Sequence, residues 1–316
     1  MFKNFIKKNP MAIGGLTLGI VSLGNLLGGV AAPIFALISA LMGFIFIIRL
    51  LVYPELLKEE LHDPVAISVA PTFAMAMVML SKFYSEYINF TLGKVIFYLG
   101  VLLHFLIIIY FLINYRHLLT REKVYGSFMI VFGSFGAGSI VAPYYGAHNL
   151  GRLVWIFGMV TFLPILYMVL YKDRHFPEKD ESKMPLVCIA ASNGGLLLTG
   201  YFNSFIDYSF AFIIFMIILG QAVYFLAVRK LPKLLKLRFY PSYSSFTFPF
   251  VINATALKLT RQYLSLQGIS TGFISLVLWF ETALAIILVF YVLFSYIKFL
   301  FKYFNNTEVE TRQLCK

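Results

Sequence analysis

Residues 241–257 read PSYSSFTFPFVINATAL (Pro241–Leu257), whereas residues 105–112 read FLIIIYFL. Both stretches are apolar enough to leave water, yet they are built differently. The first is interrupted by proline and studded with hydroxyl groups. The second is an unbroken run of large aliphatic and aromatic side chains. A proline-broken helix frees backbone groups that only water or neighbouring protein can satisfy, so it suits an interior. A uniformly greasy helix suits contact with lipid.

The contrast repeats along the chain. Hydropathy marks ten stretches, near residues 10–29, 32–52, 64–81, 95–115, 125–147, 153–171, 184–203, 206–228, 240–257 and 272–297. Each is about 18–26 residues long, enough to cross roughly 30 Å of hydrocarbon. The odd stretches carry the small, hydroxylated and proline residues. The first has Gly14, Gly15 and Gly19, the third Pro71, the fifth Gly133, Gly136 and Pro143, the seventh Asn193 and Gly194, and the ninth Thr247 and Pro249. The even stretches are dominated by Phe, Leu, Ile, Val and Tyr. Glycine and serine at single positions only permit helices to approach closely. Alternation over five pairs predicts more: an all-α membrane domain over 1–316, made of five helical hairpins, with odd helices lining an inner passage and even helices outside.

Composition agrees. The 316 residues are 60% hydrophobic and 13% charged, with mean hydropathy +0.84. Average soluble domains carry about 25% charge, so the bilayer is the expected solvent. The net charge of +12 would suggest nucleic acid in a soluble protein, but here it sorts by side. Counting alternate loops, 21 of the 26 Lys and Arg residues fall on one face and five on the other. The positive-inside rule then makes the richer face cytoplasmic, with both termini (1–9 and 298–316) on it. The early run after Lys3, Lys7 and Lys8 is long enough to span and is read as a helix rather than a cleaved signal peptide.

Chemistry-bearing residues are few. Cys188 and Cys315 form no disulfide framework, no metal-ligand spacing exists, and no hydrolytic triad, phosphate loop or haem pair is present. Neither enzyme activity nor a cofactor or metal is therefore expected. No Asp, Glu, Lys or Arg falls inside the odd stretches. A cation route normally shows carboxylates at membrane depth. A neutral lining of hydroxyls and backbone N–H groups below a strongly basic mouth favours small anions. Glu281, about nine residues into the tenth stretch, and His104 in the fourth are the titratable groups at depth. A buried carboxylate is functional by default, but on an outer helix a structural hydrogen bond or subunit contact is equally open.

Three motifs resemble one family. Gly14 to Ile20 with Leu23 is similar to its glycine-rich first helix. His62-Asp63-Pro64-Val65 followed by Pro71 resembles its approach to the third helix. Phe246 to Phe250, continuing to Asn253-Ala254-Thr255-Ala256, resembles its ninth helix. The chain thus resembles the tellurite-resistance/dicarboxylate transporter family, which includes bacterial TehA and the plant guard-cell slow anion channels. The resemblance implies a homotrimer in the plasma (bacterial inner) membrane, each protomer with its own passage, plugged by a phenylalanine that falls on Phe248. Two departures stand out: Leu16-Thr17 follows the first glycine pair where the family has a proline, and Pro249 stands where glycine is common. The expected partners are small anions and the bilayer. The expected function is a gated anion channel. The alternative is a proton-linked exporter of dicarboxylate, sulfite or tellurite-like oxyanions.

Overall fold

A computed structural model of the chain describes the backbone of residues 6–314 and the side chains of residues 6–301, and among them there is no strand. Cys315 and the charges at 1–5 and 302–316 lie outside the described side chains. Seven helices are long and apolar enough to cross a membrane: Ala31–Val52, Pro64–Tyr87, Phe90–Leu118, His148–His175, Met184–Ser204, Phe210–Leu234 and Gly272–Phe301. The last continues as helix to Leu314, so the tail expected from 298 begins inside an unbroken helix.

Three of the ten expected stretches do not pass that test, and all three are odd. Ile13–Leu27 is apolar but has 15 residues. The fifth stretch, expected as one span over 125–147, is instead four short pieces: Phe128–Val131, Gly133–Ala137, Gly138–Val141 and Ala142–Tyr145. Its glycines and Pro143 are poor helix formers, and tight 3₁₀ turns replace regular helix. The ninth is a 3₁₀ segment, Pro241–Phe246, followed by the helix Phe248–Leu266. Pro71 and Pro249 both sit in the first turn of a new helix, where a missing N–H is tolerated. They therefore start helices rather than bend them from within.

Burial separates the two sequence classes. In an apolar 18-residue stretch of Pro64–Tyr87 and of Met184–Ser204, 72% and 89% of residues are buried, against 28–33% in the five even helices. The even helices expose large apolar side chains such as Ile34, Phe44, Leu153, Ile218 and Trp279. Such faces require hydrocarbon or another subunit.

Close approach is concentrated at glycine. A β-carbon on Gly24 would stand 2.8 Å from Phe35, and one on Gly100 would stand 2.9 Å from the Ala74 carbonyl. These contacts seat Ile13–Leu27 on Ala31–Val52, and Pro71–Tyr87 on Phe90–Tyr115. The breaks in the fifth stretch are stabilised by side chains from outside it. His104 meets the Ile130 and Val131 carbonyl oxygens through Nε2 at 3.2 and 3.1 Å. Asn193 donates to the Met129 carbonyl at 3.1 Å and accepts from Ser134 at 2.8 Å.

Candidate functional site

A cavity of about 260 Å³ lies at the end of the helices that carries Lys183. Gly15 and Leu18, Thr72 and Met75, Ile130 and Ser134, Ile189 and Ser192, and Ser245, Phe248 and Pro249 border it. Every odd stretch therefore contributes. Among the described residues, none of the five even helices borders it.

Four helices begin at this cavity. Ile13–Leu27 starts after Ala12, Pro71–Tyr87 after Ala70, Ser192–Ser204 after Ala191 and Phe248–Leu266 after Thr247. None of the four has a side-chain cap or an acidic residue in its first turn. A helix N-terminus carries roughly half a positive charge, so four positive ends converge on one space, although the first amides of Ile13–Leu27 already donate to the Pro10, Met11 and Ala12 carbonyls.

The hydroxyl groups do not act as the sequence suggests. Thr72 donates to the Val69 carbonyl, Ser192 to Ile189 and Ser245 to Pro185, each at 2.7 Å. Ser134 donates to Asn193. Their protons are thus committed to protein acceptors. Ser242, also on the cavity wall, has a buried hydroxyl without a partner. The mouth is also less basic than expected. Its charged residues are Glu60, Asp63 and Lys183. Glu60 is held by Arg49 at 2.7 and 2.9 Å and accepts from the Met11 amide, and Lys183 lies 3.2 Å from Asp180. Lys172, Lys230 and Lys233 line a different pocket, which Lys183 also borders.

Phe248 borders the inner end of the cavity, together with Leu18 and Met75, and is 5% exposed. Among the described residues no aromatic ring lies against it. Phe246 and Phe250 are both fully buried in aromatic contacts, Phe246 with Tyr243 at 4.9 Å and Phe250 with Tyr224 at 5.4 Å. The three phenylalanines of one motif are thus distinguished by their surroundings.

Of the other residues singled out in the sequence, Gly15 and Pro249 border the cavity. Gly14 and Gly19 stand where the first helix touches its neighbours: a β-carbon on each would lie 2.7 Å from Thr72 and 2.5 Å from Thr247. Gly133 meets Asn193, Gly136 meets Leu197 and Gly194 meets Gly220. Thr247 is fully buried and donates to the Gly15 carbonyl at 3.0 Å, joining the ninth segment to the first. Pro71 heads its helix beside the cavity and Pro143 lies in the last turn of the fifth stretch. His104 is committed to backbone, whereas both carboxyl oxygens of Glu281 are buried without a partner. Asn253, quoted only as part of a motif, donates to the Ala191 and Pro249 carbonyls at 2.7 and 2.8 Å and ties the two broken odd segments together.

An all-helical chain whose greasy helices face outward and whose broken helices enclose a polar-ended cavity has the build of a membrane channel or transporter. The chain belongs to the voltage-dependent anion channel family, whose model matches residues 9–300. This is the family to which the three motifs point. No curated protein matches the chain in direct comparison.

Proposed function

We propose that the chain forms a gated anion passage. Ten spans are arranged as five hairpins, odd helices inside and even helices outside, and Phe248 occludes the lumen. The observation that carries this reading is the convergence of four helix N-termini without side-chain caps on a cavity to which every odd segment contributes and no even helix does. Positive helix ends hold an anion without a formal charge that would bind it too tightly to leave. The ring at the inner end makes an anion shed water where no group replaces it, a cost of several kcal/mol.

The exposed apolar faces of the even helices favour a homotrimer with one passage per protomer in the plasma membrane. The basic loops support a cavity mouth and termini on the cytoplasmic side. Recordings in bilayers under potassium chloride and potassium nitrate gradients test the reading: reversal potentials should follow the anion. Reversal at the potassium potential refutes it.

A second reading is a proton-linked exporter of dicarboxylate, sulfite or tellurite-like oxyanions, and the unpartnered Glu281 carboxyl is the observation that favours it. Reversal potentials at two pH values separate the two, because a channel follows the anion gradient alone whereas an exporter also follows the proton gradient.

A further inference from the structure

We infer that Glu281, Gln221 and Tyr224 form a buried proton-binding site behind the helix that carries Phe248. Glu281 is fully buried, and neither carboxyl oxygen has a partner. Gln221 Oε1 and the Tyr224 hydroxyl are likewise buried and unpartnered. The three residues share one place. Gln221 and Tyr224 lie on Phe210–Leu234 and Glu281 on the helix from Gly272, and beside them Phe225 stacks on Phe280 at 6.4 Å, so the two helices touch there.

A bare carboxylate in such a place is costly by several kcal/mol and calls for a proton or a cation. The proton fits. A protonated Glu281 donates to Gln221 Oε1, so one added proton pairs two orphan groups, while the Tyr224 hydroxyl stays unpartnered beside them. A cation does not fit. Oxygen-bound cations such as Ca²⁺ take about six or more ligands, whereas the unpartnered oxygens here are the two of Glu281, one of Gln221 and one of Tyr224. No competing charge is near: residues 13–27, 210–228 and 248–257 contain no acid, lysine, arginine or histidine, and within 272–297 Glu281 is the single one. Tyr224 is the titratable neighbour facing it.

The site touches the gate. The Tyr224 ring lies 5.4 Å from that of Phe250, two residues beyond Phe248. Loss of the proton leaves an unpaired carboxylate that draws the Tyr224 hydroxyl to itself, loosening the contact that seats the start of the ninth helix. This consequence, which rests on the anion-passage reading, is that flux rises with pH as Glu281 ionises.

The test uses the full chain in liposomes. Infrared difference spectra across a pH titration should show a protonated-carboxyl band that is absent in Glu281→Gln and keeps its intensity but shifts its midpoint in Tyr224→Phe. Chloride and nitrate flux should rise with pH in the wild type and stay at the low-pH level in Glu281→Gln, whose amide mimics the protonated acid. A band unchanged in Glu281→Gln overturns the site, as does an ionised carboxylate at every pH or a band titrated by sodium at fixed pH. Flux that keeps its pH dependence in Glu281→Gln overturns the link to the gate. A chain that passes no anion at all refutes the anion passage instead, and the infrared spectra still judge the proton site.

Discussion

Gly194 and Gly220 meet so closely that a β-carbon on Gly194 would stand 2.7 Å from the α-carbon of Gly220. The atom it would strike is backbone, so no rotamer change relieves the clash. Gly194→Ala should therefore separate the seventh and eighth segments and cost about 1–3 kcal/mol. Thermal unfolding in detergent measures it. Gly272, whose added β-carbon meets nothing, is the control and should unfold like the wild type.

The inner end of the cavity offers the sharpest functional test. Phe248→Ala should raise anion conductance by orders of magnitude in bilayer recordings, and Phe248→Leu should do so less, because an aliphatic plug remains. Phe246→Ala and Phe250→Ala remove rings that pack against Tyr243 and Tyr224. Phe246→Ala should lower stability without opening the passage, whereas Phe250→Ala, which removes the contact with Tyr224, should raise flux far less than Phe248→Ala. If either opens it and Phe248→Ala does not, the occluding ring has been misassigned.

Among the described residues, Lys183 is the one cation bordering the mouth. Lys183→Glu should reduce inward attraction of anions and lower single-channel current several-fold at low salt. The effect should fade as ionic strength shortens the Debye length to about 3 Å near 1 M. A reduction that persists at high salt would point to a change in shape rather than in charge.

Arg49 and Glu60 form a bidentate pair whose side chains are 5% and 19% exposed. Removing one partner strands the other. Glu60→Leu should destabilise by about 3–5 kcal/mol, and the double variant Arg49→Met/Glu60→Leu should recover part of that loss. Stability in detergent is again the measurement.

Much of this architecture was legible because lipid and protein interior demand different compositions. FLIIIYFL and PSYSSFTFPF announce their surroundings without reference to any other residue. The motif around Phe248 was legible only through resemblance, since nothing local distinguishes it from Phe246 or Phe250. What stayed hidden depends on distant pairing. The hydroxyls of Thr72, Ser192 and Ser245 looked like donors for an anion, but their acceptors are carbonyls whose positions follow from the breaks. Gln221 and Tyr224 looked like ordinary residues of a greasy helix until the tenth helix placed Glu281 beside them. The fragmentation of 125–147 was foreshadowed by its glycines, but its exact breaks depend on His104 and Asn193 from other segments.

The four helices that begin at the cavity all bring their N-terminal ends to it. On the proposed anion-passage reading, an ion approaching from the mouth meets an attractive well before the barrier, while one approaching from the far face meets the barrier first. Such a path rectifies even when the solutions on its two sides are identical. It also makes the protein vulnerable from one side only, because a bulky impermeant anion can lodge in the well from the mouth but has no corresponding seat at the far face.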